Sequence, residues 1–292
     1  MQLQLASAAP NRPDPWPRED VLNHAMLDRP KIACLRRSFA GAQPFPHVVI
    51  DNLIAPGLLE RIAQEFDRIR VGDWLRYDTP DEVKYGTRPT ARLGPASQAY
   101  FDAIHRSEFI EFLGAVTGIA GLIPDPSLKG GGLHEIPAGG RFGVHLDFDH
   151  HPVTRLHNRL VFITYLNKGW QPEWGGALEL WSAGENRCVA SVLPEFGRSI
   201  IFAHSAVSLH GHPQPLAPPP GRTRRSIAAY YYTNGRNDAD RLQRAGSHFH
   251  QPVSFGRWGR AATMAKLVTP PVLVDAARWL RRRSPLRLRR AV

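Results

Sequence analysis

His145 and Asp147 are the residues of this chain whose types and spacing most directly suggest chemistry. Residues i and i+2 of a β-strand point to the same face, so this pair could offer one imidazole and one carboxylate to a single metal ion. A third ligand must come from another strand, and His210 follows in the segment 208–211, Ser-Leu-His-Gly. Two histidines and one carboxylate on one side of a metal leave three positions open. That set suits a non-haem Fe(II) centre that holds a chelating co-substrate and O₂ together.

Other residues compete for the ligand positions. Asp149 lies on the same strand face as Asp147, but the nearer pair needs no distortion of the strand. His204 directly follows a predicted buried strand, where a structural role or a place at the rim of the site is the alternative. His212 shares a face with its neighbour two residues earlier, and only one of the two is expected to reach the metal. We therefore predict the metal ligands, which are also the catalytic residues, to be His145, Asp147 and His210.

The histidine content is concentrated around these ligands. Eight of the 13 histidines lie between His134 and His212. Those outside the ligand set are expected at the surface or beside the ligands, where a neighbouring group can orient a metal-binding imidazole. This expectation applies to His150, His151 and His157.

A co-substrate with two carboxylates needs a second anchor, and Arg225 is our candidate. It opens the predicted strand 226–232 and would direct its guanidinium inward. A guanidinium can bind a carboxylate through two parallel hydrogen bonds, which lysine cannot do in the same way. Arg224 would then face the opposite side and Arg222 would lie in a Pro-rich loop, so both are expected in solvent. Tyr165, at the end of its own strand, could add a phenolic hydrogen bond to the same carboxylate.

Short strands follow one another after residue 130 and are expected to carry the site. Segments rich in β-branched and aromatic residues and separated by turns predict a β-sandwich or jelly roll, with the preceding helices packed on one sheet. Residues 70–95 are polar and interrupted by Gly and Pro, and we expect an irregular segment there. The predicted strands are 46–51, 160–166, 176–181, 188–193, 199–202 and 226–232, and the predicted helices are 55–69, 97–105, 108–117 and 272–283.

These elements predict one catalytic domain with two extensions. Residues 1–43 are rich in Pro and mixed charge, and we expect a partly flexible lead-in. Residues 44–236 form the predicted domain, with its catalytic core at about 130–235. Residues 237–292 form a predicted C-terminal extension that ends in an Arg-rich helix.

The net charge of +11 is concentrated at one end of the chain. Seven arginines lie between Arg278 and Arg290 without an acidic residue among them, which leaves about +4 for the rest. Such a cluster could contact an acidic surface, but no nucleic-acid-binding motif accompanies it, and we expect no specific nucleic-acid binding. No apolar run approaches the length of a membrane span, and the start lacks the pattern of a secretory signal. With only Cys34 and Cys188, a cytoplasmic, reducing location is expected.

Taken together, these motifs resemble the Fe(II)/2-oxoglutarate-dependent dioxygenases, specifically the prolyl-4-hydroxylase-like branch. The resemblance runs in order through about residues 130–235, and more loosely from about residue 44. Its central motif is His145-Leu-Asp147. Further segments that carry it are 165–170 (Tyr-Leu-Asn-Lys-Gly-Trp), 174–181 (Trp-Gly-Gly-Ala-Leu-Glu-Leu-Trp), 194–198, 210–213 (His-Gly-His-Pro) and 225–230. The stretch between His210 and Arg225 is longer and richer in Pro than in the eukaryotic prolyl hydroxylases, which leaves Arg222 and Arg224 as alternatives to Arg225.

The resemblance implies a mainly β fold with flanking helices around a double-stranded β-helix (jelly roll/cupin-like) core. It implies that His145, Asp147 and His210 bind Fe(II), that Arg225 binds the C5 carboxylate of 2-oxoglutarate, and that Tyr165 assists. The implied cofactors are Fe(II), 2-oxoglutarate and O₂, with ascorbate as a candidate reductant. Oxidative decarboxylation to succinate and CO₂ would be coupled to hydroxylation of an aliphatic carbon.

The substrate implied is a prolyl or other amino-acid-derived compound, whether a free amino acid, a peptide or a small metabolite. Two other interpretations of the same residues stay open. A zinc-dependent cupin-type hydrolase or isomerase could use the His/Asp/His set but would have no use for a buried Arg225. A non-catalytic binding protein with a degenerate site would fail to bind Fe(II).

Overall fold

The computed structural model describes residues 21–236 and 246–250. Four helices and thirteen strands lie in this part of the chain. The helices are α1 Arg29–Gly41, α2 Pro56–Phe66, α3 Pro95–Ile104 and α4 Ser107–Thr117. The strands are β1 His47–Asp51, β2 Trp74–Asp78, β3 Glu82–Thr87, β4 Ile123–Pro124, β5 Gly132–Ile136, β6 Arg141–Leu146, β7 His157–Tyr165, β8 Leu178–Ser182, β9 Arg187–Val192, β10 Arg198–Ala203, β11 Leu209–His212, β12 Arg224–Thr233 and β13 His248–Phe249.

The strands form one antiparallel sheet that folds into a nearly closed barrel. Its main path runs β1-β10-β7-β12-β5-β3-β6-β11-β8-β9, with β2, β4 and β13 attached at the side. The order is far from the sequence order, because strands distant in the chain pair across the jelly roll. The prediction of a mainly β protein with a double-stranded β-helix core is confirmed.

The helices cover one face of the sheet, and alternation along the strands separates the two cores. On β7, Leu160 and Phe162 belong to the cluster shared with the helices, whereas Val161 and Tyr165 belong to the cluster inside the barrel. The ring of Phe162 lies 5.1 Å from that of Phe109 on α4. Each strand of this sheet therefore has one face toward the helices and one toward the site.

Residues 70–95, predicted to be irregular, contain the β2–β3 hairpin instead. The polar residues and the Gly and Pro residues of this segment made its strands hard to predict. One side of the hairpin packs on α2, where the ring of Trp74 lies 6.1 Å from that of Phe66. β3 pairs with both β5 and β6, so the hairpin extends the sheet toward the predicted ligands.

The two expected extensions are more closely attached than predicted where the structure describes them. Leu35 and Phe39 of α1 are buried in the core, so residues 29–41 are not a flexible lead-in. Beyond residue 237, β13 pairs with β6 and places Phe249 opposite His145. The predicted Arg-rich helix 272–283 lies outside the described residues. Among the helices of residues 21–236, none has both the length and the apolar character required to cross a bilayer.

Candidate metal and co-substrate site

The three predicted ligands meet inside the barrel. His145 on β6 is the register partner of His210 on β11, and Asp147 follows directly after β6. One ligand atom from each of the three residues lies within 4.8 Å of the other two. The Nε2 atoms of His145 and His210 lie 3.3 and 3.5 Å from the two carboxylate oxygens of Asp147. The geometry therefore brings together two imidazoles and one carboxylate, as the sequence predicted.

Hydrogen bonds at the far side of both imidazoles prepare them to bind a metal. Nδ1 of His145 contacts the carbonyl oxygen of Gly143 at 2.8 Å, and Nδ1 of His210 contacts that of Ser208 at 2.9 Å. Because a carbonyl oxygen only accepts, each Nδ1 must carry the proton, which leaves a lone pair on each Nε2. Such outer contacts fix the tautomer and orientation of metal-binding histidines.

Burial leaves these ligand atoms without protein partners. Nε2 of His145 and Oδ2 of Asp147 are buried and have no hydrogen-bond partner among the described residues. Buried polar atoms normally have partners, so this pair of atoms points to a missing group between them. A divalent metal fits, because it would satisfy all three side chains at once.

The charge states also suit a metal site. Burial lowers the pKa of His210 to about 4, so its ring is neutral at physiological pH, the state that binds metal. Burial alone would raise the pKa of Asp147, but the neighbouring His210 and His145 hold it below the ordinary value of a carboxyl group. The site therefore presents a neutral imidazole of His210 and an ionised carboxylate of Asp147 without a change in the protonation of either group.

The rival ligands have other partners or other places. Asp149 and His204 bind each other, with Nε2 of the imidazole 2.8 Å from Oδ1 of the carboxylate, and both are buried. His212 is buried on β11 but lies outside the ligand group. Among the further histidines, His151 contacts Asp125, while the rings of His150 and His157 pack against each other at 4.4 Å.

The prediction that Arg225 points into the barrel is wrong, because the structure directs Arg224 there. Arg224 is 5% exposed, and its Cζ lies 5.0 Å from the ring centroid of Tyr165. Ser226 is the register partner of Tyr165, so Arg224, two residues before Ser226, shares the inward face. Ile227 and Ala229 belong to the core shared with the helices, and this parity places Arg225 on the helix side.

Arg225 instead fastens helix α2 to the sheet. Its guanidinium donates to Asp67 at 2.7 Å, to Glu135 at 2.9 Å and to the carbonyl oxygen of Ala63 at 3.1 Å. These partners satisfy the guanidinium outside the barrel. The expectation that Arg224 lies in solvent is wrong for the same reason of strand parity.

Arg224 and Tyr165 lie side by side on the inward face of the barrel. Nε of Arg224 donates to the carbonyl oxygen of Gly176 at 2.8 Å, which fixes the side chain. The Tyr165 hydroxyl is buried and has no hydrogen-bond partner among the described residues. A buried guanidinium beside a buried phenol suits one carboxylate of a dicarboxylic acid. Gly176 lies in the motif 174–181, so this motif was the feature of the sequence that could have indicated its contact with Arg224.

Three residues of the β2–β3 hairpin, Trp74, Arg76 and Tyr85, lie on its α2 side or in solvent. The rings of Trp74 and Tyr85 lie 6.4 Å apart on the side of the β2–β3 hairpin that packs against Phe66 of α2. Arg76 pairs with the exposed Asp78. His134 on β5 is the register partner of Gly86 on β3, and burial first, then the charges of Lys84 and Arg224, lower its pKa to about 3. Three further residues of this region were not predicted from the sequence. Tyr77 and Lys84 lie in the segment that was expected to be irregular, and the residue type of Phe142 gave no signal.

Residues 131–232 match the model of the 2OG-Fe(II) oxygenase superfamily. This segment is therefore a 2OG-Fe(II) oxygenase domain, and it contains all three predicted ligands, Arg224 and Tyr165. The resemblance to the prolyl-4-hydroxylase-like branch is confirmed, as are Fe(II), 2-oxoglutarate and O₂ as the cofactors of the domain. Ascorbate stays a prediction.

Among curated proteins, the chain is similar to prolyl 3-hydroxylase OGFOD1 of Mus musculus. The two are 22% identical over 219 residues, which is 72% of this chain and 36% of that protein. The chain thus spans about a third of the length of this relative.

Two solved structures share the fold. A prolyl-4-hydroxylase from Pseudomonas putida is 18% identical with a TM-score of 0.51, and the match covers 70% of this chain and 100% of that one. A prolyl 4-hydroxylase from Phytophthora capsici is 20% identical with a TM-score of 0.51, and the match covers 76% of this chain and 68% of that one.

Gly211, directly after His210 on β11, allows the close approach of β11 to β6 that brings His210 and His145 together. A Cβ built at this position would lie 2.6 Å from the backbone oxygen of Gly143 on β6. We expect Gly211→Ala to push β11 away from β6, to separate His145 from His210, and to weaken Fe(II) binding by about 10- to 100-fold, the range seen when groups that orient ligands are changed. A Fe(II) titration against a competing chelator measures this effect.

The matched control is Gly184→Ala, at a turn where an added Cβ would have no neighbour within 4 Å. This variant should bind Fe(II) as the wild type does. Equal affinity in the Gly211 and Gly184 variants would show that the close approach of β6 and β11 does not set the ligand geometry.

Proposed function

We propose that this protein is a 2-oxoglutarate-dependent dioxygenase that hydroxylates an unactivated aliphatic C–H bond of a prolyl or other amino-acid-derived substrate. The observation that carries the proposal is the convergence of His145, Asp147 and His210, with both Nε2 lone pairs and one carboxylate directed at one point. Bound Fe(II) would supply the oxidative chemistry that converts 2-oxoglutarate, O₂ and the substrate to succinate, CO₂ and the hydroxylated product.

The chain's own residues would bind, orient and shield the reactants. Arg224 and Tyr165 would hold the C5 carboxylate of 2-oxoglutarate, which leaves its keto-acid end for the metal. Leu180 and Phe202 form an apolar wall beside His210, with the Phe202 ring 4.6 Å from the imidazole. This wall would exclude water from the reacting centre.

Arg224 also distinguishes this proposal from a zinc-dependent hydrolase or isomerase. Such an enzyme needs the metal and a water molecule but has no use for a buried guanidinium near them. Retaining a buried cation has a free-energy cost unless an anion is bound beside it. A dicarboxylic co-substrate supplies that anion.

The test is turnover of the full chain with Fe(II), 2-oxoglutarate and O₂, using free amino acids and prolyl peptides as candidate substrates. The proposal predicts succinate formation that depends on Fe(II), together with a product that has gained one oxygen atom. Protein reconstituted with Zn(II) is the control and should form no succinate. Absence of succinate from the Fe(II) protein, or activity with Zn(II) alone, would contradict the proposal.

The proposal also includes a location in the cytoplasm and a small substrate as the partner. Cys34 and Cys188 are both free thiols, which agrees with a reducing compartment such as the cytoplasm. The partner expected is the amino-acid, peptide or small-metabolite substrate. Contact of the Arg-rich C-terminus with an acidic surface stays a prediction, because that segment lies outside the described residues.

A further inference from the structure

Lys84 on β3 is a buried cation at the margin of the metal site. Its side chain is 13% exposed, and its Nζ lies 3.4 Å from the ring centroid of Phe142 and 5.1 Å from that of Tyr77. The ring of Phe142 in turn lies 3.9 Å from that of the ligand His145. One aromatic ring thus separates the ammonium group from the metal ligand.

Within residues 21–236 and 246–250, the carboxylate paired with this ammonium group makes only a long contact with it. An ammonium has three donors, and charge-assisted hydrogen bonds to carboxylates are usually about 2.7–2.9 Å long. The nearest carboxylate oxygen, Oε2 of Glu82, is 3.5 Å from Nζ. The aromatic faces of Phe142 and Tyr77 attract the cation but accept no short hydrogen bond. A stronger acceptor would therefore be favourable at this position.

2-Oxoglutarate does not require Lys84. Its remote carboxylate already has Arg224 and Tyr165 in the proposed function, and its keto-acid end belongs to the metal. The imidazole of His134 and the ring of Tyr77 both lie over Gly86 of the hairpin. A Cβ added at Gly86 would be 3.1 Å from the imidazole and 3.6 Å from the Tyr77 ring. The charges of both Lys84 and Arg224 act on this imidazole, so the pocket holds a second cation separate from the first.

We propose that Lys84 binds a carboxylate of the molecule that is hydroxylated, so that the substrate class is a small amino-acid-derived acid with a free carboxylate. This inference rests on the proposed function and deepens it. The substrate would place its carboxylate against Lys84 and its aliphatic carbon toward the metal. A neutral prolyl residue inside a peptide would lack the group that Lys84 selects.

The test compares acids with their amides in a binding experiment. The probes are the N-acetyl derivatives of the proteinogenic amino acids, each as the free acid and as the primary amide, titrated into the anaerobic complex of the full chain with Fe(II) and 2-oxoglutarate. A shift of the Fe(II)–2-oxoglutarate charge-transfer band reports binding. For the best acid, we expect the wild type to favour the acid over its amide by about 10- to 100-fold, the value of a hydrogen bond to a charged group.

Three variants assign that preference. Lys84→Met and Lys84→Gln should lose it while their affinity for 2-oxoglutarate stays the same, and Lys84→Arg should retain most of it. Lys168→Met is the matched control, because Lys168 also pairs with a glutamate, Glu60, and lies 5.0 Å from an aromatic ring, that of Phe196, but is 62% exposed. The control should behave as the wild type does.

Each contrary outcome has a defined meaning. If the ion pair of Lys84 with Glu82 only fixes the hairpin, the neutral variants would have a lower melting temperature but the same preference for the acid. That result would overturn the inference. Weaker 2-oxoglutarate binding in the neutral variants would assign Lys84 to the co-substrate and also overturn it. A wild type that favours no acid over its amide would reject it as well. A wild type that forms no charge-transfer band would contradict the proposed function itself, and the inference would fall with it.

Discussion

Replacing Asp147 with alanine is expected to abolish tight Fe(II) binding and to lower succinate formation by at least about 1000-fold, equivalent to about 4 kcal/mol. Asp147 supplies the one carboxylate of the ligand group, and its oxygens lie 3.3 and 3.5 Å from the two imidazoles. Without it, two histidines would remain, and the negative charge that holds a divalent cation would be lost. Fe(II) titration and succinate assays measure the two effects.

The control for this prediction is the rival carboxylate. Asp149 is equally buried but is hydrogen-bonded to His204, so Asp149→Asn should still bind Fe(II). The melting temperatures of both variants, measured without metal, separate a loss of metal binding from a loss of folding. If the Asp149 variant lost Fe(II) and the Asp147 variant kept it, the ligand assignment would be wrong.

The second large effect is expected at Arg224. Arg224→Leu should raise the KM for the co-substrate by about 100- to 1000-fold, equivalent to about 3–4 kcal/mol, because it removes one partner of a buried charge pair. The change should be smaller in Arg224→Lys, which keeps the charge but not the two parallel donors. Succinate assays over a range of 2-oxoglutarate concentrations, with Fe(II) saturating, measure this difference.

Arg225→Leu is the matched control for Arg224→Leu. It removes the same side chain one residue further along β12, on the opposite face of the strand. We expect little change in the KM for the co-substrate but a loss of about 1 kcal/mol in the free energy of unfolding, since the contacts with Asp67 and Glu135 are partly exposed to solvent. A large KM effect at Arg225 with none at Arg224 would restore the original prediction from the sequence.

Local patterns were enough to predict three of the four α-helices and six of the thirteen strands of the described residues. The predicted strand 199–202 corresponds to β10, Arg198–Ala203, and the predicted helix 108–117 corresponds to α4, Ser107–Thr117. Both have apolar residues at the spacing of their element and clear boundaries. The ligand pattern was equally local for His145 and Asp147, because two residues two positions apart on one strand share a face whatever the rest of the fold does.

The inward direction of Arg224 could not be predicted from the same rule. Adjacent residues on a strand point to opposite faces, so the choice between Arg224 and Arg225 requires knowledge of which face the helices cover. That information comes from α2 and from the core shared by Ile227 and Ala229, which are contacts distant in sequence. An error of one residue in parity exchanged the arginine on the inward face for the one that pairs with Asp67 and Glu135 on the helix side.

The β2–β3 hairpin was missed for a related reason. Its residues are half-buried on both faces, with Trp74 toward α2 and Lys84 toward the metal site, so they show no clear alternation of apolar and polar types. Strand β13 is even shorter, and its pairing with β6 is between residues about a hundred positions apart in the chain. Both features depend on long-range pairing rather than on local propensity.

Anaerobic titration of the full chain with Fe(II) and 2-oxoglutarate tests the shared ligand geometry most directly. The wild type should develop the charge-transfer band of an Fe(II)–2-oxoglutarate chelate at one metal per chain, and the band should be absent from the Asp147→Ala variant. A wild type without the band at saturating co-substrate, or a variant that keeps it, would show that His145, Asp147 and His210 do not form the metal centre.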